Sequence, residues 1–282
     1  MESAATYIKN ELNTFYPDSE IQSFIRILLP HLTGLSLVLV LADPKRVLPR
    51  DAQKLLEGAV LRLKEYEPIQ YILGETEFMG LGFRVNTNTL IPRPETEELV
   101  ERVLNENCES GRRILDIGTG SGCIAVSLAK YMKDATVFGW DFSDGALAIA
   151  KENARYNGVE VHYQNVDIFN EYPSDGQFDI IISNPPYVLN SERAEMEENV
   201  LRYEPHSALF VPDDDPLKFY ERIADIAKRL LVRDGFLYFE INQAKGREMQ
   251  LMLAEKGFCN IRLCKDISGR DRIVRASCSE KD

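Results

Sequence analysis

The sequence predicts an α/β protein: an open, mostly parallel sheet with helices on both faces, preceded by a small helical bundle and a β-hairpin. Three stretches carry this. Ile180-Ile181-Ile182 is a run of β-branched residues without polar alternation, the pattern of a parallel strand buried on both faces, and it stops at Ser183-Asn184-Pro185-Pro186-Tyr187-Val188. Arg113 to Ala125, RILDI then GTGSG then CIA, reads as strand, glycine turn and helix. Residues 3–73 repeat apolar positions at helical spacing, among them Ile21, Phe24, Ile25, Leu28 and Leu29.

In chain order, Asp18 and Ser19 are the expected caps of an early helix, with breaks at Pro30, Gly34 and Pro44. A further helix is expected over Asp51 to Tyr66, with Leu55, Leu56, Ala59, Val60 and Leu63 on one face. This part holds no cluster of catalytic residue types, so docking or scaffolding stands beside plain packing as its role. From Glu75 to Val85 the pattern becomes a hairpin, with Gly80-Leu81-Gly82 as its turn. Pro94, followed by Glu95, Glu97 and Glu98, is a favourable helix start, and a linker plus cap explains Arg93 and Glu95 as well as a site would. Further on, the acidic run Glu192 to Glu198 reads as a solvated helix face, and His206 as structural. Phe219 to Leu231 reads as an amphipathic helix and Gly235 to Ile241 as a strand. Ile261 to Leu263 and Arg272 to Ala276 read as the closing strands, with Arg270 and Arg272 pairing with nearby acids.

At 282 residues, 44% hydrophobic and 28% charged, the chain can bury a core as one large or two ordinary domains. A net charge of −12 argues against broad, sequence-independent nucleic-acid binding. The five cysteines are scattered without paired spacing, which predicts reduced thiols in the cytoplasm and no metal site. The N-terminus lacks the build of a signal peptide, and the apolar run Gly34 to Ala42 is too short to span a bilayer, so no membrane association is expected.

The stretch after Ile182 suits a particular chemistry. Two prolines cannot extend a central strand, so the chain is forced into one rigid, extended turn where open α/β sheets keep their sites. The Asn184 side chain and the Pro185 carbonyl then become fixed acceptors, with the Tyr187 ring and Pro186 beside them. Such a pair fits a planar NH2 group whose lone pair is delocalised. Gripping both hydrogens favours the pyramidal, charge-developing nitrogen of a transition state over the flat ground state. The competing reading is a strand-ending turn.

The glycine turn is ambiguous alone, because Gly120-Ser121-Gly122-Cys123-Ile124-Ala125 also satisfies a dinucleotide fingerprint, and Asp141 has the spacing of a ribose acid in either cofactor class. Two details favour S-adenosylmethionine. Asp116 directly before Ile117-Gly118-Thr119-Gly120 would suit an ammonium or sulfonium and would sit badly beside a pyrophosphate. In addition Asp141 for ribose, Asp167 with Ile168 and Phe169 for adenine, and Asn184 at the methyl follow one another in chain order.

With these stretches assembled, the chain resembles the bacterial release-factor glutamine N5-methyltransferases, the PrmC or HemK family. The resemblance runs over nearly the whole length. It includes Pro68 to Gly74, the Phe78 to Val85 hairpin, Ile91 to Glu97, Asp116 to Ala125, Asn184 to Val188, Tyr203-Glu204-Pro205, and Lys265 to Arg272. It implies a class I, Rossmann-like, seven-stranded methyltransferase domain at 93–282, ending in antiparallel strands, behind a substrate-docking helical domain at 1–74 and a hairpin linker at 75–92. It also implies class-1 peptide-chain release factors as substrates, modified on the glutamine amide of their Gly-Gly-Gln motif. By position, Gly118 to Gly122 and Asp141 would bind S-adenosylmethionine, Ile168 would lie near adenine, and Asn184 to Tyr187 would hold the glutamine. The sequence departs from the family at Ile168, often a larger aromatic, and at Asn242, where glycine commonly follows Glu-Ile. Two rivals are an adenine N6-methyltransferase, which shares the Asn-Pro-Pro-Tyr turn, and a nicotinamide-dinucleotide-binding protein.

Overall fold

The computed structural model describes residues 3–43, 47–170, 172–174 and 176–278, so the expected break at Pro44 lies outside the described residues. The chain forms two compact units, Met1–Leu73 with Glu198–Tyr203, and Gly74–Glu197 with Glu204–Asp282.

The first unit is helical: α1 (Ala4–Leu12), α2 (Asp18–Thr33), α3 (Leu37–Ala42), α4 (Arg50–Lys64) and α5 (Ile69–Leu73). One apolar stripe from each of α1, α2 and α4 makes its core, including Ile8, Leu12, Ile21, Leu28, Leu56 and Leu63. Three expectations are corrected. Asp18 and Ser19 stand in the first turn of α2, behind Pro17 as N-cap, where the Asp18 charge suits the helix dipole. Pro30 does not break α2: the helix continues to Thr33 and ends at Gly34, whose φ of +67° lets its N–H bond back to the Pro30 carbonyl. Pro30 costs one donor, while the buried face on either side holds the helix. Leu55 is 64% exposed, because it sits about a quarter-turn from the centre of the arc formed by Leu56, Ala59, Val60 and Leu63.

The second unit opens with β1 (Glu75–Phe78) and β2 (Leu81–Arg84). Their turn is Met79-Gly80, both left-handed at φ +53° and +71°, so Leu81 and Gly82 belong to the strand and not to the turn. Met79 tolerates that backbone because its N–H donates to Glu97 and its carbonyl accepts from the Tyr131 hydroxyl at 2.7 Å. Then follow α6 (Pro94–Glu106), β3 (Arg113–Ile117), α7 (Cys123–Tyr131), β4 (Thr136–Asp141), α8 (Asp144–Tyr156), β5 (His162–Asn165), β6 (Phe178–Ser183) and β7 (Val188–Leu189). The short α9 (Glu198–Tyr203), counted with the first unit, precedes β8 (Phe210–Val211), α10 (Lys218–Leu230), β9 (Leu231–Glu240), α11 (Gly246–Glu255), β10 (Phe258–Lys265) and β11 (Asp271–Cys278).

Seven of these strands form one sheet in the order β10-β11-β9-β6-β3-β4-β5. β3, β4, β5, β6 and β9 run parallel, and β11 is antiparallel to both its neighbours. Strand alternation splits the core. Ile181, Leu115 and Ile117 face α10 and α11, while Ile180, Ile182 and Ile114 face α7, α6 and the hairpin residues Phe78 and Phe83. The order reverses between β3 and β6, so their carboxyl ends open a crevice where connections leave in opposite directions.

Candidate active site

That crevice is a cavity of about 570 Å³, walled by the ends of β3, β4 and β6 and by the loops that follow β3, β4, β5 and β6. Most of the expected residues meet there: Gly118, Thr119, Gly120 and Ser121 from the first loop, Asp141 from the second, Asp167, Ile168 and Phe169 from the third, and Asn184, Pro185 and Pro186 from the fourth.

The glycine loop is pinned from below. The Gly118 and Thr119 N–H groups both donate to the Trp140 carbonyl, at 2.8 and 2.9 Å, and the Thr119 hydroxyl donates to Asp116 at 2.6 Å. Gly118 and Gly120, at φ +75° and +55°, bare the backbone toward the cavity. Two expectations change here. Asp116 is fully buried on the opposite pleat from Ile117 and is not part of the wall; it braces the loop through Thr119. Burial, with the Asp141 charge adding, pushes its carboxyl up to about 7 despite the Thr119 bond. Gly122 is not on the wall either. It caps α7 at φ +79° and packs on Ala150, so its absent side chain serves helix packing.

Asp141 accepts from the Gly120 N–H on one oxygen and the Ser143 N–H on the other, both at 2.9 Å. Each carboxylate oxygen has a second lone pair, so the group can still take two donors from a diol. Burial raises its pKa. Asp167 accepts from the Phe169 N–H at 3.0 Å and the Asn170 amide at 2.8 Å, ordering the turn that carries Ile168 and Phe169. Phe142, 58% exposed, and Phe169, 40% exposed, lie on the wall with Phe219, whose ring meets Phe169 edge-on at 5.2 Å. Apolar rings left bare around a carboxylate fit a flat base joined to a ribose. The cavity therefore suits S-adenosylmethionine by size, by its diol acceptor and by its aromatic wall.

The fourth loop is fixed by a buried relay. Ser183 donates to the Ile117 carbonyl at 2.6 Å, locking the end of β6 to β3. The Asn184 amide NH2 donates to the Thr96 hydroxyl at 3.1 Å, and that hydroxyl donates to Glu240 at 2.7 Å. The other Glu240 oxygen accepts from the Tyr187 hydroxyl at 3.1 Å. With its NH2 engaged, Asn184 has its carbonyl oxygen free to accept. Tyr187, expected beside the acceptors, is absent from the cavity wall and packs toward the core with its hydroxyl on Glu240. A buried carboxylate needs donors, and among the described residues Tyr187 and Thr96 reach it. Burial raises the Glu240 pKa, while Thr96, Tyr187 and Arg272 oppose that rise.

Sequence reasoning missed Thr96, Glu240, Phe142 and Phe219. Glu240 left one signal, an acid ending the otherwise apolar run Phe236 to Phe239. Arg93, explained above as a linker residue, lines the cavity and forms an ion pair with the buried Glu204, which also accepts the Ile91 N–H at 3.2 Å. His206 contacts Arg193 and the Phe210 ring, in keeping with a structural part. Asn242, in the position where glycine is common, caps a short turn by accepting the Ala244 N–H at 3.0 Å. Among the described residues no cluster has the makings of a metal site.

Comparison with known proteins follows the same division. Residues 4–74 match the family model described as PrmC N-terminal domain, and residues 95–203 match the Methyltransferase small domain. A release factor glutamine methyltransferase of Bacteroides thetaiotaomicron is 45% identical over 278 residues, covering 98% of this chain and 100% of its own. One of Flavobacterium psychrophilum is 48% identical over 276 residues, covering 96% and 97%. A crystal structure of a methyltransferase from Pyrococcus furiosus, 16% identical with a TM-score of 0.54, covers 79% of this chain and 98% of its own and shares the fold.

Proposed function

The chain belongs to the release factor glutamine methyltransferase family, and on that premise we propose that it methylates the glutamine amide of the Gly-Gly-Gln motif in class-1 peptide-chain release factors. The observation that carries this reading is the Asn184 carbonyl, held as a free acceptor at the carboxyl end of β6 by the Thr96 bond to its NH2. An N-methyl transfer to an amide needs such an acceptor and no strong base, because the nitrogen becomes acidic once alkylated.

S-adenosylmethionine is the cofactor, and when bound it supplies an electrophilic methyl group on a sulfonium. The chain's own residues divide the remaining work. Asp141 takes the ribose hydroxyls, Gly118 to Ser121 offer backbone to the amino-acid end, and Ile168, Phe169, Phe142 and Phe219 enclose the adenine beside Asp167. Asn184 and the Pro185 carbonyl grip the two amide hydrogens, and Pro186 keeps the turn rigid, so that the nitrogen is presented in line. Asp116, Gly122 and Tyr187 support these groups from behind. We assign substrate docking to the helical part, residues 1–74. The cytoplasm is the expected compartment, since release factors act on ribosomes there; among the described residues no helix is long and apolar enough to cross a membrane.

Calorimetric titration tests the cofactor half. S-adenosylmethionine is expected to bind and NADH not to, with Asp141→Ala weakening S-adenosylmethionine by roughly 10- to 100-fold through two lost charge-assisted hydrogen bonds. Unchanged affinity in that variant would remove Asp141 from the ribose, and tight NADH binding would favour the dinucleotide reading.

A further inference from the structure

We propose that Glu240, acting through Thr96, is a positioning residue that fixes which end of the Asn184 amide faces the acceptor substrate. The inference rests on the methyl-transfer reading of this site. An amide is nearly symmetric in shape, yet only its oxygen can hold an N–H. Something must therefore decide between two orientations that differ little in packing.

The buried relay makes that decision. Both Glu240 oxygens accept from hydroxyls, one from Tyr187 and the other from Thr96 at 2.7 Å, so the Thr96 hydroxyl spends its single proton on Glu240. The Thr96 oxygen is left with lone pairs toward Asn184. It can meet the NH2 end, at 3.1 Å, and cannot meet the carbonyl end, which would set two acceptors against each other. Thr96 is 2% exposed and Glu240 is fully buried, so water does not stand in for either. The second Glu240 oxygen holds the Tyr187 hydroxyl at 3.1 Å, so one carboxylate clamps the first and last residues of Asn-Pro-Pro-Tyr. Glu240 itself is not on the cavity wall, which is why it positions the acceptor without touching it.

The test compares Thr96→Val, Thr96→Ser, Glu240→Gln and the double variant Thr96→Val with Glu240→Gln. Each is assayed for single-turnover methyl transfer to a purified release factor and for S-adenosylmethionine affinity by calorimetry. Packing alone predicts that Val, close in shape to Thr and apolar, is at least as good as Ser in this buried place. The clamp predicts the reverse: Thr96→Ser keeps the rate within about threefold, and Thr96→Val loses roughly 30-fold, the cost of freeing one buried hydrogen-bonding group. Glu240→Gln is expected to lose roughly 10-fold in the parent background, because its NH2 reverses polarity at one partner, and less than about threefold once Thr96 is Val. Cofactor affinity stays near the parent value in all four, which also shows that they fold. Equal rates for the Ser and Val variants, or losses that multiply in the double variant, would overturn the clamp while the parent remains active. A parent that transfers no methyl group would overturn the functional reading first, and the clamp's catalytic role with it.

Discussion

Asn184→Ala is expected to lower the single-turnover rate of methyl transfer by roughly 10²- to 10⁴-fold while changing S-adenosylmethionine affinity by less than about threefold. The two effects separate because the Asn184 oxygen is engaged hardest when the amide nitrogen pyramidalises and its hydrogens gain positive charge. The ribose and adenine contacts proposed for the cofactor come from other loops, at Asp141 and at Asp167 to Phe169. Removing the amide also leaves the Thr96 oxygen without its donor, a cost shared by the ground and transition states. A variant that loses affinity and rate in equal measure would mean that Asn184 serves the cofactor instead.

Gly122→Ala is expected to destabilise the protein by about 2–5 kcal/mol, the sum of a left-handed backbone penalty and overpacking. At φ +79° a Cβ would lie 2.7 Å from the Tyr163 hydroxyl, 3.1 Å from the Ala150 Cβ and 3.3 Å from the Ala150 Cα. The tyrosine tip can shift, but the Ala150 backbone within α8 cannot easily follow. Gly118→Ala is the control. It has φ +75° but nothing within 4 Å of its would-be Cβ, so it should lose only about 1–2 kcal/mol. Urea unfolding of both variants decides the point. Equal losses would show that crowding at Ala150 is relieved and that Gly122 is there for its conformation alone.

The parts of this protein legible in the sequence are those whose chemistry is local. Ile180 to Ile182 had to be a buried strand, two prolines had to stop it, and alternate glycines had to turn the chain between β3 and α7; the structure has all three. What stayed hidden depends on side-chain direction or on distant partners. Asp116 and Ile117 are neighbours on opposite pleats, so the first lies behind the loop and the second reaches the cavity. Applying strand alternation to RILDI would have shown this. The relay was beyond any local pattern: Thr96 lies 88 positions from Asn184 and 144 from Glu240, and the parallel pairing of β6 with β9 together with the packing of α6 on β9 brings them together. Thr96 stands in the first turn of α6 and Glu240 at the end of β9, places where a polar residue has a local explanation of its own. In the helical part, Pro30 shows the opposite error. A strong local signal was overridden because α2 has a continuous apolar face to bury on both sides of the proline.

The most direct test of the proposed activity is transfer of labelled methyl from S-adenosylmethionine to a purified class-1 release factor, beside the same factor with its Gly-Gly-Gln glutamine changed to alanine and beside DNA and RNA. Label on the intact factor, with none on the variant or the nucleic acids, is the predicted result. Label on adenine, or label on both forms of the factor, would contradict it.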